Sequence, residues 1–325
     1  MPGIAEEYRI VAAGAAWIER AARGRIRFGG ADAASFLQAL LTNDVLALTK
    51  GQGVYATYLT PQGRTIADIE VLQRGDALLG TVPDGMGPAL AARFDQLVFS
   101  EDVTVADESA AWTEIAVTGG QAAGVVAAAL AMDAAALTAL PELSHVDADG
   151  GFVVRGGDSP WPMFRVTVPA GARDGTVRAL ESAGARAMSE ELAETLRVEA
   201  GRPVWGRELT PDTIPLEAGL LDRAISTSKG CYVGQEIIIR ILHRGGGRVA
   251  KRLMRLVFDP SVSEPPPAGA RLFADGQAVG QVTSAVFSPA FDRVIALAYV
   301  HRDASEVGTR LAIDGASAVI DSAAR

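Results

Sequence analysis

Residues 229–236 read Lys-Gly-Cys-Tyr-Val-Gly-Gln-Glu and contain the only cysteine of the 325-residue chain. The residue types offer sulfur chemistry. A thiol becomes a nucleophile or a metal ligand when a nearby cation favours its thiolate, and Lys229 stands two positions before Cys231. In extended backbone, side chains two apart share a face, so the ammonium would lie beside the thiol. Gly230 and Gly234 allow a tight turn or a close approach to a ligand. Gln235 and Glu236 could anchor the loop or contact that ligand. The competing reading is a glycine turn feeding a strand at Ile237-Ile238-Ile239, with Cys231 as a small core residue, because unpaired cysteines are among the most buried residue types.

Three other stretches could carry chemistry. In Arg197-Val198-Glu199-Ala200-Gly201-Arg202-Pro203, Glu199 falls near the end of an expected helix, where a carboxylate opposes the helix dipole. It needs a counterpart: an ion pair with Arg197 or Arg202, or a ligand with two parallel N–H donors such as a pterin. Asp68 follows the turn Pro61-Gln62-Gly63 on an expected strand, where acids are disfavoured, and faces either a cavity or solvent. Arg240, Arg244, Arg248, Lys251, Arg252 and Arg255, with His243 among them, form a run without an acid between Glu236 and Asp259. It suits either a polyanion such as polyglutamate, phosphate or RNA, or a solvated strand face.

The elements that must position these residues can be read from periodicity. Gly24–Gly29 alternates as a half-buried strand does. Asp32 can cap a helix whose Phe36, Leu37, Leu40 and Leu41 share one face. Tyr55–Leu59 and Thr65–Leu72 read as strands around the Pro61-Gln62-Gly63 turn. A helix carrying Leu90 and Phe94, strands near Val103 and Trp112–Val117, and one or two alanine-rich helices over Ala122–Leu140 follow. Phe152–Arg155 and Phe164–Val168 are further strands. Helices over Gly175–Ala183 and Ser189–Val198 come next, the second capped by Ser189 with Glu190 and Glu191 in its first turn. Beyond Gly245-Gly246-Gly247 and Pro265-Pro266-Pro267, short alternating runs with turn signals indicate a small antiparallel sheet or barrel. The chain therefore reads as an α+β body over residues 1–240, made of two interleaved subdomains, and an all-β domain over residues 245–325.

Composition bounds the function. The length suits roughly two or three domains, and 49% apolar residues are ample for their cores. A single cysteine excludes an intramolecular disulfide, fits a reducing compartment and cannot by itself hold an iron–sulfur cluster, which takes four thiolates. His145, His243 and His301 show no metal-ligand spacing, so no metal site is expected. No secretory leader and no membrane span are expected. The net charge of −9 disfavours broad affinity for nucleic acid.

Lys229–Glu236 resembles the K-G-C-[aromatic]-x-G-Q-E signature of the YgfZ-like folate-binding proteins, relatives of the aminomethyltransferase (T-protein) of the glycine cleavage system. Phe36–Asp44, Tyr58–Arg64, the R-x-E-x-G block at Arg197–Pro203 with Gly206-Arg207-Glu208, Val279–Ser284 and Ile295–Val300 are also similar to that superfamily. The resemblance implies an aminomethyltransferase-like cloverleaf of mixed α/β domains around a central channel, with a C-terminal antiparallel β-barrel. It implies tetrahydrofolate as cofactor, held by Glu199, Tyr58, Gln235 and Arg240. It implies Cys231, Lys229 and Asp68 as the active residues. It further implies a role in assisting iron–sulfur clusters in client proteins, including radical enzymes that thiolate tRNA. A cytoplasmic monomer, off the membrane, is expected, with the basic run after Arg240 as a weak RNA contact. The aminomethyltransferases carry paired aspartates after a Gly-Gly turn. Here the stretch is Gly63-Arg64-Thr65-Ile66-Ala67-Asp68, with only the second acid. The alternative is a folate-dependent aminomethyltransferase or demethylase acting on a small amine, with Asp68 as its acid.

Overall fold

The computed structural model describes residues 3–313 and 315–324. The chain divides into two compact units, each assembled from separated segments. Residues 1–58, 68–193 and 227–232 make the first; residues 59–67, 194–226 and 233–325 make the second. The Lys229–Glu236 motif thus contributes to both.

The first unit contains, in order, α1 (Ile4–Ala13), β1 (Ala16–Glu19), β2 (Arg23–Gly29), α2 (Ala33–Leu40), β3 (Gly53–Leu59), β4 (Thr65–Gln73), β5 (Leu78–Asp84), α3 (Gly87–Asp95), β6 (Thr104–Asp107), β7 (Trp112–Thr118), α4 (Ala122–Leu130), α5 (Ala134–Ala139), β8 (His145–Ala148), β9 (Gly151–Gly156), β10 (Met163–Pro169), α6 (Arg173–Ser182) and β11 (Arg186–Ala187), with the ends of β3 and β4 crossing into the second. They build two sheets, in the orders β3-β4-β5-β2-β6 and β11-β1-β7-β10-β9-β8. Period-two alternation decides what each face meets. In the first sheet Phe28 and Tyr58 turn towards Phe94 of α3, with ring centroids 5.4 and 5.0 Å away. In the second, Ile115, Val117, Phe164 and Val166 pack on Val125 and Val126 of α4 and Leu180 of α6. The residues one position out of phase line the gap between the sheets. Leu72 and Leu79 pack there on Phe152 and Val154, and two buried ion pairs cross it: Arg25 Nη2 to Glu114 Oε2 at 3.0 Å and Arg165 Nη1 to Glu70 Oε2 at 2.5 Å.

The second unit begins within α7 (Glu190–Ala200), whose first turn belongs to the first unit, and continues through α8 (Leu221–Ala224) and α9 (Gln235–Ile239) into a π-helical turn at Arg240–Arg244. Then come β12 (Lys251–Phe258), β13 (Arg271–Ala274), β14 (Gln277–Ser288), β15 (Arg293–His301), β16 (Arg310–Ile313) and β17 (Ala316–Ala323). These six close into an antiparallel barrel, β12-β15-β14-β13-β16-β17. Leu256, Phe258, Leu272, Ala296, Ala298 and Leu311 form one buried cluster. Leu253, Ile295, Leu297 and Tyr299 form another with Val198 of α7. Among the described residues no helix is long and apolar enough to cross a membrane.

The structure corrects three local expectations. Ile237–Ile239 is not a strand but part of α9; a short run of β-branched residues does not reveal its period, and packing overrides propensity. Asp32 precedes α2 but makes no capping bond; its carboxylate accepts from Asp102 N at 2.9 Å instead. Third, α1, β1 and β5 were not anticipated, and Pro83 inside β5 obscures its strand character.

Candidate functional site

In the first unit the motif loop is organised by Lys229. Residues 225–232 are outside helix and strand, so the expected extended pairing of Lys229 with Cys231 does not form. Lys229 is buried and Cys231 is exposed. The Lys229 ammonium donates to the carbonyl oxygens of Gln38 (2.6 Å), Leu41 (2.6 Å) and Asn43 (3.0 Å). These carbonyls lie at the C-terminal end of α2, where they lack helical partners and where the dipole favours a cation. The segment receiving them is itself fixed: Asn43 Nδ2 donates to Tyr55 O at 2.9 Å, Thr57 N to Thr42 Oγ1 at 2.8 Å, and Gln38 Nε2 to Asp44 Oδ1 at 3.0 Å. Burial draws the Lys229 ammonium down to about 8, with Asp44 opposing the fall. It remains mostly protonated at neutral pH. Lys229 therefore acts as a clasp between two sequence motifs, presenting Cys231 at the surface. Tyr232 beside it is buried, with its ring centroid 5.1 Å from Lys229 Nζ. Burial pushes its phenol up to about 12, and its hydroxyl has no hydrogen-bond partner among the described residues.

Asp68 lies on the face of β4 that lines the gap between the two sheets, two residues before Glu70. Its Oδ2 accepts from Tyr55 OH at 3.1 Å, while its enclosed Oδ1 has no hydrogen-bond partner among the described residues. Burial raises the Asp68 carboxyl above the ordinary carboxylate range; Arg23 and the Tyr55 hydroxyl pull against that rise, and the Glu70 charge adds to it. The result is a half-buried acid that holds its proton more tightly than a surface aspartate and keeps one oxygen free. Tyr58 is a core residue, 4% exposed, with its hydroxyl accepting from Arg93 Nε at 3.0 Å.

The other expected residues belong to the second unit. Glu199, near the end of α7, is buried, and its carboxylate accepts from Ser288 Oγ. The arginine that meets its backbone is Arg255, donating to Glu199 O at 2.6 Å. Arg197 pairs elsewhere, with Glu194 at 2.6 Å and with the fully buried Glu208 at 3.0 Å. Gln235 opens α9. Gly234 precedes it at φ 82°, and a Cβ there would stand 2.5 Å from Thr60 O. At Gly63 (φ 73°) a Cβ would stand 2.9 Å from that of Ile237, so the turn after β3 and the start of α9 are pressed together. The basic run divides: Arg240, His243, Arg244 and Arg248 are exposed, whereas Lys251 lies 4.4 Å from the Tyr299 ring centroid and Arg255 pairs with Asp321 at 2.5 Å.

The structure therefore gathers Asp68, Tyr58, Lys229 and Cys231 into the first unit, and Glu199, Gln235 and Arg240 into the second. Sequence reasoning missed Tyr55, Arg23 and Glu70 around Asp68. The alternation of β2, with arginines at positions 23, 25 and 27, was the available signal. Among the described residues no cluster of His, Cys, Asp and Glu is arranged to hold a metal ion.

Comparison with known proteins gives these sites a family. Residues 1–156 match the GCVT N-terminal domain, and residues 251–321 match the glycine cleavage T-protein C-terminal barrel domain. The aminomethyltransferase of Rubrobacter xylanophilus is 32% identical over 92% of this chain and 79% of its own length. That of Bacillus subtilis is 27% identical over 94% and 85%. A putative chloroplastic transferase of Arabidopsis thaliana is 28% identical over 89% of this chain and 66% of its own length. The crystal structure of aminomethyltransferase T from Bartonella henselae superposes with a TM-score of 0.88 over 98% of this chain and 88% of that one, at 24% identity, so the fold is aminomethyltransferase-like. With both domains matched in order and a relative of this identity along nearly the whole length, the chain belongs to the glycine cleavage T-protein (aminomethyltransferase) family.

Proposed function

We propose that this protein binds tetrahydrofolate and transfers a one-carbon unit to it from a small amine, as an aminomethyltransferase or a demethylase. The observation that carries this reading is Asp68: a half-buried acid with one oxygen held by Tyr55 and the other without a hydrogen-bond partner among the described residues. Bound tetrahydrofolate would supply the nitrogen nucleophiles that accept a one-carbon unit. Asp68 would receive a hydrogen bond or a proton from the reacting nitrogen on its free oxygen. Tyr55 fixes the carboxyl orientation, and burial, which raises the proton affinity of the carboxyl, favours keeping the proton it receives. The names of the relatives favour this reading over the next. The retention of one aspartate, where the family pattern has two, predicts a slower or altered transfer.

The test is twofold. Titration with tetrahydrofolate, followed by tryptophan fluorescence, should saturate. Incubation with aminomethyl donors should then yield methylene-tetrahydrofolate and ammonia, and incubation with methylated amines should yield methyl-tetrahydrofolate; Asp68→Asn should abolish the product. Saturable binding without turnover of any amine would sink the transfer reading and leave folate binding standing.

A second reading has its own observation, the exposed Cys231 on the Lys229 clasp. In it the protein is the YgfZ-like accessory of iron–sulfur enzymes that the motif suggests. Cys231 would meet a sulfur species, or the iron of a client's cluster, at the surface. Loss of client-enzyme activity in cells carrying Cys231→Ser, with folate binding intact, would favour it; unchanged activity would reject the thiol's part.

A further inference from the structure

The gap between the two sheets of the first unit holds more charge than an apolar sandwich core requires. Arg25 (1% exposed) and Glu114 (3%) form one pair, and Arg165 (3%) and Glu70 (5%) form another. Replacing such pairs by apolar side chains is often neutral or stabilising, so their presence argues poorly for stability and invites another explanation. They are also incompletely satisfied: among the described residues Arg25 Nε, Arg165 Nε, Glu114 Oε1 and Asp68 Oδ1 find no hydrogen-bond partner.

Arg23 connects this seam to Asp68. It lies on β2 two residues before Arg25, and its Nη2 stands 4.0 Å from Glu70 Oε1. Glu70 and Asp68 share one face of β4. Among the described residues no hydrogen bond engages the Arg23 guanidinium, and its side chain is 18% exposed. We propose that Arg23 is a positioning residue for Asp68: reaching over the face of β4 that carries both acids, it divides its charge between Glu70 and Asp68 and thereby sets whether Asp68 carries a proton.

The charges around it agree. Burial works to lower the Arg23 guanidinium, but Glu70, Glu114 and Asp68 together hold it above its ordinary value. From β3, Tyr55 faces Asp68; from β4, Glu70; from β2, Arg23 and Arg25; from β7 and β10, Glu114 and Arg165; Asp158 acts on Arg23 and Arg165, and Arg20 on Glu114. Four arginines (20, 23, 25 and 165) stand against four acids (Asp68, Glu70, Glu114 and Asp158), and Asp68 and Glu70 both draw on the charge of Arg23. An opposite charge at this range favours ionisation. Among the described residues the Arg23 guanidinium, unlike those of Arg25 and Arg165, is not committed to a hydrogen bond, and its charge acts on Asp68.

This inference rests on the reading of Asp68 as the reacting acid, but its test needs no folate, so the two can fail separately. The carboxyl carbon of Asp68, assigned by comparison with Asp68→Asn, is titrated by NMR in the wild-type chain, Arg23→Gln and Arg23→Lys. Arg23→Gln should raise the midpoint by about one pH unit or more, and Arg23→Lys by about half a unit or less. Equal midpoints in wild type and Arg23→Gln overturn the proposal. Should Arg23→Gln not fold, the Arg23 Nε–H resonance of the wild-type chain decides. It should show an inflection at the Asp68 midpoint, and a flat response overturns the proposal. If transfer activity is established, its pH profile should shift with the Asp68 midpoint in Arg23→Gln and return in Arg23→Lys.

Discussion

Two buried ionic clusters in this molecule meet the same physical problem differently. In the second unit Glu208 has both oxygens occupied: Oε2 accepts from Arg197 at 3.0 Å and from Val204 N at 3.1 Å, and Oε1 accepts from Ser284 at 2.7 Å. Arg197 is shared further with Glu194 and with Arg202 O. In the seam of the first unit, Arg25, Arg165, Glu114 and Asp68 each leave an atom without a hydrogen-bond partner among the described residues. Ions withdrawn from water must recover their solvation from partners. The closed cluster does so and fixes α7 against the barrel. The open one keeps unspent hydrogen-bonding capacity, and the residue at its end is the acid to which chemistry can be assigned.

The sharpest way to break that comparison is to cut both clusters. Glu208→Ala should cost about 2–3 kcal/mol, because it takes a buried acceptor from Val204 N, Ser284 and Arg197, which keeps Glu194; urea unfolding reads the loss. Arg25→Met combined with Glu114→Leu removes a pair that was already under-satisfied and should cost less than about 1 kcal/mol. Equal losses would mean that the two clusters are alike. Comparable in size is Lys229→Met, which strands three carbonyls and should cost about 2–4 kcal/mol, seen as a lowered urea midpoint.

Two pH effects follow, both from the first unit. His145 is buried with Nδ1 unpaired, and burial and the Arg74 charge hold its imidazolium down to about 4. The unfolded chain takes up that proton below about 6.5. Stability should therefore be full above that pH and fall by on the order of 2 kcal/mol towards pH 4. His145→Gln should flatten the slope between those values. Asp68 has the opposite sign. Its folded carboxyl binds a proton more tightly than the unfolded one, so its contribution is best below about pH 3.9 and declines as pH rises through the folded value. Asp68→Asn should thus stabilise the protein at pH 7 while abolishing transfer.

Much of this was legible in the sequence because alternation and helical spacing are local. β2, α2, β3, β4, α6, α7 and the C-terminal barrel follow from it, and the Ser189 cap is present, accepting from Leu192 N at 3.2 Å. What could not be read was partnership over distance. Nothing in Lys229-Gly230-Cys231 indicates that the lysine belongs to carbonyls at the end of α2, 186–191 residues earlier. Arg23 and Glu70 look like ordinary strand-face charges until two sheets close over them. Glu199 and Arg197 stand two apart, yet the first meets Ser288 and the second Glu208, because a helix turns neighbouring side chains to different faces.

The most direct measurement is tetrahydrofolate titration of the wild-type chain and Asp68→Asn side by side, using the four tryptophans as reporters. Saturable binding by the wild type, weakened about tenfold in Asp68→Asn by the loss of one buried hydrogen bond of about 1.4 kcal/mol, is the predicted result. No saturable binding, or the same affinity in both proteins, would contradict it.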